Sequence, residues 1–141
     1  MCGIIGIQNN SEAATLAYMG LYAQQHRGQE GAGVVSSDGV HLYRHMGQGL
    51  VSDVFSDSDV FEGLIGDSAI GHVRYSTTGN SDKKNVGPLT FNMGDHYLSI
   101  AHNGNLVNVE DVRSELQDEG ALFQTSTDTE VIIHLIAREK G

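Results

Sequence analysis

Short β-rich segments dominate the middle of this chain, with one helical pattern before them and two after, and this order limits the possible folds. The Ile-rich residues 2–8 predict a buried first strand. Residues 33–47, "GVVSSDGVHLYRHMG", predict a hairpin that turns at Asp38-Gly39, and residues 68–76 and 96–104 predict two more strands. Because strands and helices do not alternate strictly, the pattern favours an α+β fold over a doubly wound parallel sheet.

Three helices are predicted outside this strand-rich region. The first falls within residues 9–25, the second within 107–120 with Gly120 as its stop, and the third within 126–140. Residues 26–33, "HRGQEGAG", are expected to form a glycine-rich turn, and residues 77–88 a polar loop. Residues 49–66 fit a turn or a short exposed helix. With 141 residues, the chain is expected to form one domain.

Charge and cysteine content exclude several classes of protein. The net charge of -10 argues against nucleic acid and against an anionic membrane surface, since both are bound through Lys and Arg. The single cysteine cannot form an intrachain disulfide, which fits a reducing compartment, and no signal peptide or membrane-spanning run is present. We therefore expect a cytoplasmic protein.

The single cysteine stands directly behind the initiator methionine, in "MCGIIGI". If Met1 is removed, Cys2 carries both a thiol and a free α-amino group, whose ordinary pKa is about 7.7–8.0. One residue would then supply a nucleophile and a general base near neutral pH. The alternative is that Cys2 is a small buried packing residue.

Two arginines are candidate binding groups. Arg27, in the glycine-rich segment, can hold a carboxylate or orient neighbouring backbone through its fork of donors. Arg74 ends an apolar strand beside hydroxyl residues such as Tyr75 and Thr77, which suits a pocket for a carboxylate ligand. A surface position on an edge strand is the alternative for Arg74.

Two further segments have both a local structural and a functional interpretation. Asn103-Gly104 is a turn pair that could also form an oxyanion hole, from the side-chain amide of Asn103 and the N–H of Gly104. Asp128, near a helix start, could be a helix cap or could bind a ligand ammonium group.

The histidines do not predict a metal site. His41 and His45 have a ligand-like spacing only on a helix, whereas this stretch is predicted as a strand, in which four residues span roughly 13 Å. His72, His102 and His134 lie in apolar elements and fit core or supporting positions better than metal ligands.

Taken together, the candidates supply a nucleophile, a base, an oxyanion hole, a carboxylate anchor and an ammonium anchor. Glutamine, with its α-amino group, α-carboxylate and reactive side-chain carbonyl, would use all of them. The segments "MCGIIGI", "QHRGQEGAG", "GHVRYSTTG", "AHNGNL" and "STDTEVIIHLIAR" resemble the glutaminase domain of the class II glutamine amidotransferases, in that family's order. One departure is Gly31, where serine is common in the family.

The resemblance implies a fold and a role for each matching residue. The fold would be that of the N-terminal nucleophile hydrolases, a four-layer α-β-β-α sandwich of two antiparallel sheets. Cys2 would be the nucleophile, and Arg27 would orient the N-terminal strand and its amine. Arg74 would bind the substrate carboxylate, with Tyr75 and Thr77 in a closing glutamine loop. Asn103 and Gly104 would form the oxyanion hole, and Asp128 would hold the ammonium group.

Within the family, "QHRGQE", "DG" and "GLVSDVF" are most similar to the branch that uses phosphoribosyl pyrophosphate to make 5-phosphoribosylamine in the first step of purine biosynthesis. This resemblance implies a phosphoribosyltransferase domain after residue 141, a glutaminase domain that itself continues past it, and a homo-oligomer at full length. Mg²⁺ with phosphoribosyl pyrophosphate, and the iron–sulfur cluster of some relatives, would belong to that later part, so no cofactor is expected within these residues.

Two alternatives stay open at this point. The domain could serve another acceptor, as in glucosamine-6-phosphate synthase, or it could be a non-catalytic domain of the same fold if Met1 is retained.

Overall fold

The computed structural model describes residues 1–27, 30–75 and 83–139. These ranges form four α-helices and six strands in two antiparallel sheets, which confirms the α+β prediction. The strands are β1 (Gly3–Ile7), β2 (Gly31–Ser37), β3 (Leu42–Gln48), β4 (Ser68–Arg74), β5 (Leu89–Met93) and β6 (His96–Ile100). The helices are α1 (Ala13–Ala23), α2 (Val51–Val54), α3 (Val109–Asp118) and α4 (Asp128–Glu139), with 3₁₀ turns at Gln25–Arg27, Ser58–Gly63 and Lys83–Asn85.

The first sheet places the start of the chain beside the end of β4. Its strand order is β1-β4-β2-β3, and every neighbouring pair is antiparallel. Gly3 is paired with Val73, so Cys2 and Arg74 are the next residues at the same end of the sheet. Because side chains alternate between the two faces of a strand, Arg74 and His72 share one face and Val73 lies on the other.

Helix α1 covers one face of this sheet. Its inward side is made of small residues and one leucine, all buried: Ala13, Ala14, Ala17 and Leu21. They pack with the buried side chains of Ala32, Val34 and Val73. Met19, although apolar, is exposed because it lies on the opposite side of the helix from these four residues. The helix therefore closes one face of the sheet and leaves the other for a second layer.

The second layer begins with a buried stretch of backbone. Residues 85–89 are all buried and lead into β5, which forms a two-stranded sheet with β6. Helix α4 packs against β5, and α3 packs against α4. The layers thus follow the predicted order of helix, sheet, sheet and helix. No helix among the described residues is long and apolar enough to cross a membrane.

Two details of the predicted secondary structure are wrong. The glycine-rich turn ends earlier than expected, because Gly31, Ala32 and Gly33 belong to β2. Strand β5 was not predicted, since its mixed sequence "LTFNM" follows a polar loop. The Gly94-Asp95 pair between β5 and β6, with Gly94 at a φ of 71°, is a hairpin signal that could have indicated it. The β2–β3 hairpin and the ends of α3 agree with the prediction.

Glycines in β2 allow residues 85–89 to lie directly on the sheet. A Cβ at Gly33 would overlap the carbonyl oxygen of Gly87 and would lie 2.8 Å from the Cβ of Met46. A Cβ at Gly31 would lie 2.6 Å from Val86. The first contact is with backbone, which cannot move aside as the end of a flexible side chain can. Close approach, rather than an unusual φ, therefore requires glycine at position 33.

We predict that Gly33→Ala lowers the free energy of unfolding by about 1–3 kcal/mol, the usual cost of overpacking a closely packed interior. Gly6→Ala is the matched control, because Gly6 lies in β1 of the same sheet and a Cβ there would have no neighbour within 4 Å. Urea unfolding of both variants measures the difference. Equal midpoints for the two variants would contradict the close contact between residues 33 and 87.

His72 is a buried histidine on the face of β4 that points away from α1. It is 6% exposed, and its Nδ1 has no hydrogen-bond partner among the described residues. Burial lowers the pKa of His72 to about 4, and the positive charge of Arg74 acts in the same direction. A backbone hydrogen bond with His102 opposes the shift, whereas the charge of His102 adds to it. The imidazole is therefore neutral at neutral pH.

The low pKa of His72 predicts a loss of stability on acidification. Below its ordinary pKa of about 6.5 the unfolded histidine binds a proton that the folded one does not, so folding becomes less favourable as the pH falls towards 4. By pH 5 this residue should cost about 2 kcal/mol relative to pH 7.5.

The test of the His72 prediction compares urea unfolding at pH 7.5 and pH 5. We expect His72→Gln to lose less stability between the two pH values than the unsubstituted protein, and His96→Gln, at an exposed histidine, to lose as much as the unsubstituted protein. The same pH dependence in His72→Gln as in the unsubstituted protein would contradict the prediction.

Candidate active site

A cavity of about 540 Å³ opens where β1 begins and β4 ends, within the 300–1,000 Å³ that is usual for a small-molecule site. Its walls come from the ends of β4 and β6, from residues 85–89 and from the segment that enters α4. Five of the eight residues predicted for the site line it: Cys2, Arg74, Tyr75, Gly104 and Asp128. The fold therefore brings together residues that are up to 126 positions apart in the sequence.

Cys2 is held at the mouth of this cavity by its neighbours. Its thiol Sγ lies 3.7 Å from the carbonyl oxygen of Tyr75, to which it donates. The Nε of Arg27 donates to the carbonyl oxygen of Cys2 at 3.1 Å, and the Nη2 of Arg27 lies 2.7 Å from the sulfur of Met1. Arg27 thus fixes the backbone of Cys2 through an atom that stays in place if Met1 is removed.

Arg74 presents a guanidinium group with unused donors. Its Nη1 donates to the carbonyl oxygen of Asn85 over a long 3.4 Å, and its buried Nε has no hydrogen-bond partner among the described residues. A buried donor without a partner is costly, so a group that accepts from it would bind favourably. A carboxylate is the acceptor that best matches a guanidinium fork. Arg74 is therefore suited to hold a ligand carboxylate.

Asp128 is the first residue of α4, but its carboxylate contacts another segment. Oδ2 accepts from the N–H of Leu106 at 2.9 Å, and Oδ1 lies 3.5 Å from the Nδ1 of His102. These contacts hold the carboxylate across the cavity wall formed by residues 102–106. The geometry supports the binding interpretation of Asp128, because these two partners lie 22 and 26 residues away rather than in its own first helical turn.

The predicted oxyanion hole is only partly assembled. Gly104 lines the cavity with a φ of 153°, and a Cβ there would lie 3.1 Å from the Nε2 of His102. Asn103 is exposed and is not among the residues that line the cavity. Catalytic hydrogen bonds are often loose without substrate and form only in the substrate complex. The assignment of Asn103 therefore stays a prediction.

The predicted glutamine loop is described at one end only. Tyr75 lines the cavity and is 43% exposed, which suits a residue at the rim of a site. Thr77 lies outside the described residues. The functional roles of all eight predicted residues stay predictions, while the placement of five of them around one cavity supports the roles of those five.

The residues that line the cavity but were not predicted as part of the site include His72, Asn85, His102 and Ser126. The two histidines were expected to be core or supporting groups, which agrees with the burial of His72. Asn85 lies in a stretch that was interpreted as a polar loop, yet it is 3% exposed. Its amide Nδ2 donates to the hydroxyl of Ser126 at 2.9 Å, and the N–H of Ser126 donates to its Oδ1 at 3.2 Å. No local sequence signal indicates this long-range pair.

The described residues contain no group of three or more His, Cys, Asp or Glu side chains placed to hold a metal ion. His45 is directed to the carbonyl oxygen of Val54 at 2.7 Å, whereas His41 lies 3.9 Å from Asp38. The donors present therefore do not fit the Mg²⁺ or iron–sulfur cluster that the resemblance assigns to residues after 141. That no cofactor belongs to these residues stays a prediction.

Comparison with known proteins agrees with this site. The family described as "Glutamine amidotransferase domain" matches residues 57–141. An amidophosphoribosyltransferase of Lacticaseibacillus casei is 48% identical over 140 residues, which cover 99% of this chain and 72% of that protein. An amidophosphoribosyltransferase of Bacillus subtilis is 49% identical over 138 residues, which cover 97% of this chain but 29% of that protein. The chain thus spans less than a third of the longer of these two relatives.

A solved structure described as the allosteric regulatory enzyme of purine biosynthesis superposes with a TM-score of 0.91 at 47% identity. The match covers 98% of this chain and 30% of that one. The likeness confirms the predicted N-terminal nucleophile hydrolase fold. From the family match and the whole-chain identity to these enzymes, we conclude that the chain belongs to the glutamine amidotransferase domain family, on the branch of the amidophosphoribosyltransferases.

Proposed function

We propose that this chain hydrolyses glutamine to glutamate and ammonia with Cys2 as an N-terminal nucleophile, and that the ammonia passes to a phosphoribosyltransferase domain to make 5-phosphoribosylamine in the first step of purine biosynthesis. One observation carries the proposal. Cys2, Arg74 and Asp128 line a single cavity and supply a thiol, a guanidinium group whose Nε has no hydrogen-bond partner among the described residues, and a carboxylate.

The arrangement matches glutamine better than a simple amide. Arg74 donates to the α-carboxylate and Asp128 accepts from the α-ammonium group, so the backbone of the amino acid is fixed at two points. Its side-chain carboxamide then extends towards Cys2. Holding the reacting atoms in this way replaces a bimolecular encounter by a positioned attack.

The thiol and the α-amino group of Cys2 carry out the reaction. The α-amino group takes the proton of the thiol, and the sulfur attacks the carboxamide carbon to give a tetrahedral intermediate. The N–H of Gly104 and the amide of Asn103 stabilise the negative oxygen. The α-ammonium group of Cys2 gives its proton to the nitrogen, the C–N bond breaks and ammonia leaves. Water then attacks the thioester, and glutamate is released with the thiol restored.

The acceptor and the rest of the protein are inferred from the relatives. The two relatives compared above are both amidophosphoribosyltransferases, which favours a phosphoribosyl pyrophosphate acceptor over the sugar acceptor considered above. We propose that a phosphoribosyltransferase domain follows residue 141, that the protein forms a homo-oligomer at full length, and that it acts in the cytoplasm. The single free cysteine, which fits a reducing compartment, supports the last of these.

The proposal predicts that activity depends on removal of Met1. With Met1 in place the nitrogen of Cys2 is an amide and cannot act as a base, so glutamine hydrolysis should fall to background. A variant with an extra residue between Met1 and Cys2 should be equally inactive, and Cys2→Ser marks the background rate. Intact mass and ammonia release are measured on the same sample. Full activity with Met1 retained would assign the base to another residue.

Substitutions of the two anchors, Arg74 and Asp128, should affect glutamine kinetics differently from a substitution of Asn103 in the oxyanion hole. Arg74→Lys loses the carboxylate fork, and Asp128→Asn loses the charge that meets the ammonium group while keeping an acceptor for Leu106. Each change removes a desolvated charged contact that is typically worth about 2–5 kcal/mol, so kcat/KM for glutamine should fall by at least about tenfold. Asn103→Ala should instead lower kcat by roughly 10²–10³ with little change in KM.

Arg44→Lys, at an exposed arginine of β3, is the matched control and should leave both constants unchanged. Steady-state glutaminase kinetics measure all four variants. A raised KM with an unchanged kcat in Asn103→Ala would show that Asn103 contacts the bound substrate and would remove it from the oxyanion hole.

A further inference from the structure

Asn85 lies between Arg74, the proposed anchor for a ligand carboxylate, and the segment that leads to Asp128, the proposed anchor for a ligand ammonium group. It forms hydrogen bonds with both Arg74 and that segment. It is 3% exposed and ends the 3₁₀ turn Lys83–Asn85. Its carbonyl oxygen accepts from the Nη1 of Arg74 at 3.4 Å. Its side-chain amide forms two hydrogen bonds with Ser126, one to the hydroxyl at 2.9 Å and one from the N–H at 3.2 Å. One residue thus joins the end of β4 to the segment that enters α4.

The segment that contains Ser126 is rigidly attached to the helices behind it. The buried carboxylate of Glu130 accepts from the N–H groups of Gln124 at 2.9 Å and Thr125 at 2.6 Å. The guanidinium group of Arg113 donates to the carbonyl oxygens of Thr125 at 3.2 Å and Thr127 at 2.8 Å. These bonds fix residues 124–127 to α3 and α4, so Asp128, the next residue, moves with that unit.

Arg74 belongs to a different unit, the first sheet. It is the last residue of β4, and its carbonyl oxygen is held by the N–H of Glu30 at 3.1 Å. The carboxylate anchor is therefore fixed to the sheet and the ammonium anchor to the helices. The α-carboxylate and α-ammonium groups of an amino acid sit on one carbon atom, so the separation of the two anchors must be held constant for both to bind.

We propose that Asn85 is a positioning residue that sets the separation between Arg74 and Asp128 and so makes the site selective for ligands that carry both an α-carboxylate and an α-ammonium group. This inference rests on the glutamine-hydrolysing function proposed above. Asn85 acts through Arg74 and Ser126, and it takes no part in the chemistry at Cys2.

The first test compares glutamine kinetics of side-chain variants in the full-length protein. Asn85→Ala removes both bonds to Ser126 and keeps the carbonyl oxygen that meets Arg74. We expect KM for glutamine to rise roughly five- to fiftyfold, the range for losing buried hydrogen bonds, with kcat changed by less than about twofold. Ser126→Ala removes only the hydroxyl and should have a smaller effect in the same direction. Asn92→Ala, at an exposed asparagine of β5, is the matched control and should change neither constant.

The second test uses 4-carbamoylbutanoate, which is glutamine without its α-ammonium group. This compound can use the Arg74 anchor but has nothing for Asp128 to bind. Its inhibition constant should therefore differ by less than about twofold between Asn85→Ala and the unsubstituted protein, while the KM for glutamine rises. A merely structural role for Asn85 would weaken both ligands equally.

The outcomes separate the inference from the function on which it rests. Equal weakening of both ligands, or an unchanged KM for glutamine in Asn85→Ala, would overturn the positioning role while hydrolysis by the unsubstituted protein still upholds the function. Absence of glutamine hydrolysis by the Met1-free unsubstituted protein would overturn both. If Asn85→Ala does not fold, Ser126→Ala removes one of the same two bonds from the other side, and an unchanged KM there would contradict the proposal.

Discussion

The antiparallel pairing of β1 with β4 is the constraint on which the site depends. It joins Gly3 to Val73 and so brings the second residue of the chain to the same end of the sheet as Arg74. The N-terminus of a chain usually frays, because few contacts hold it. Here the strand hydrogen bonds and the Arg27 Nε contact to the carbonyl oxygen of Cys2 hold it. These contacts hold Cys2 at the end of the sheet, as its proposed role as a nucleophile requires.

Close packing between the two sheets positions the part of the cavity wall that residues 85–89 form. The absence of side chains at Gly31 and Gly33 lets residues 85–89 lie on β2, and this buried segment carries Asn85 to the point between the two anchors. The segment of residues 124–127, which leads to Asp128, is held to helices α3 and α4 by its hydrogen bonds with Arg113 and Glu130. The cavity therefore lies at the junction of these two parts, and we propose that its selectivity depends on the bonds by which Asn85 crosses that junction.

The sequence predicted what depends on local pattern and on family motifs, and it missed what depends on tertiary contact. Apolar runs indicated β1, β4 and β6, and the Asp38-Gly39 pair indicated the β2–β3 hairpin. The motifs indicated Cys2, Arg74 and Asp128, which the fold places around one cavity. Strand β5 was missed because its composition is mixed. Asn85 was missed because its importance comes from Ser126, which is 41 residues away, and no spacing rule connects the two.

The central claim is that Cys2, with a free α-amino group, attacks the carboxamide carbon of a bound glutamine. Labelling with 6-diazo-5-oxonorleucine, a glutamine analogue that alkylates a bound nucleophile, followed by intact mass and peptide mapping, tests it most directly. Cys2 is the only cysteine among these 141 residues, so a thiol adduct within them has one possible position. The account predicts one adduct per Met1-free chain, located on Cys2 and slowed by glutamine. An adduct on another residue, or equally fast labelling of chains that retain Met1, would contradict it.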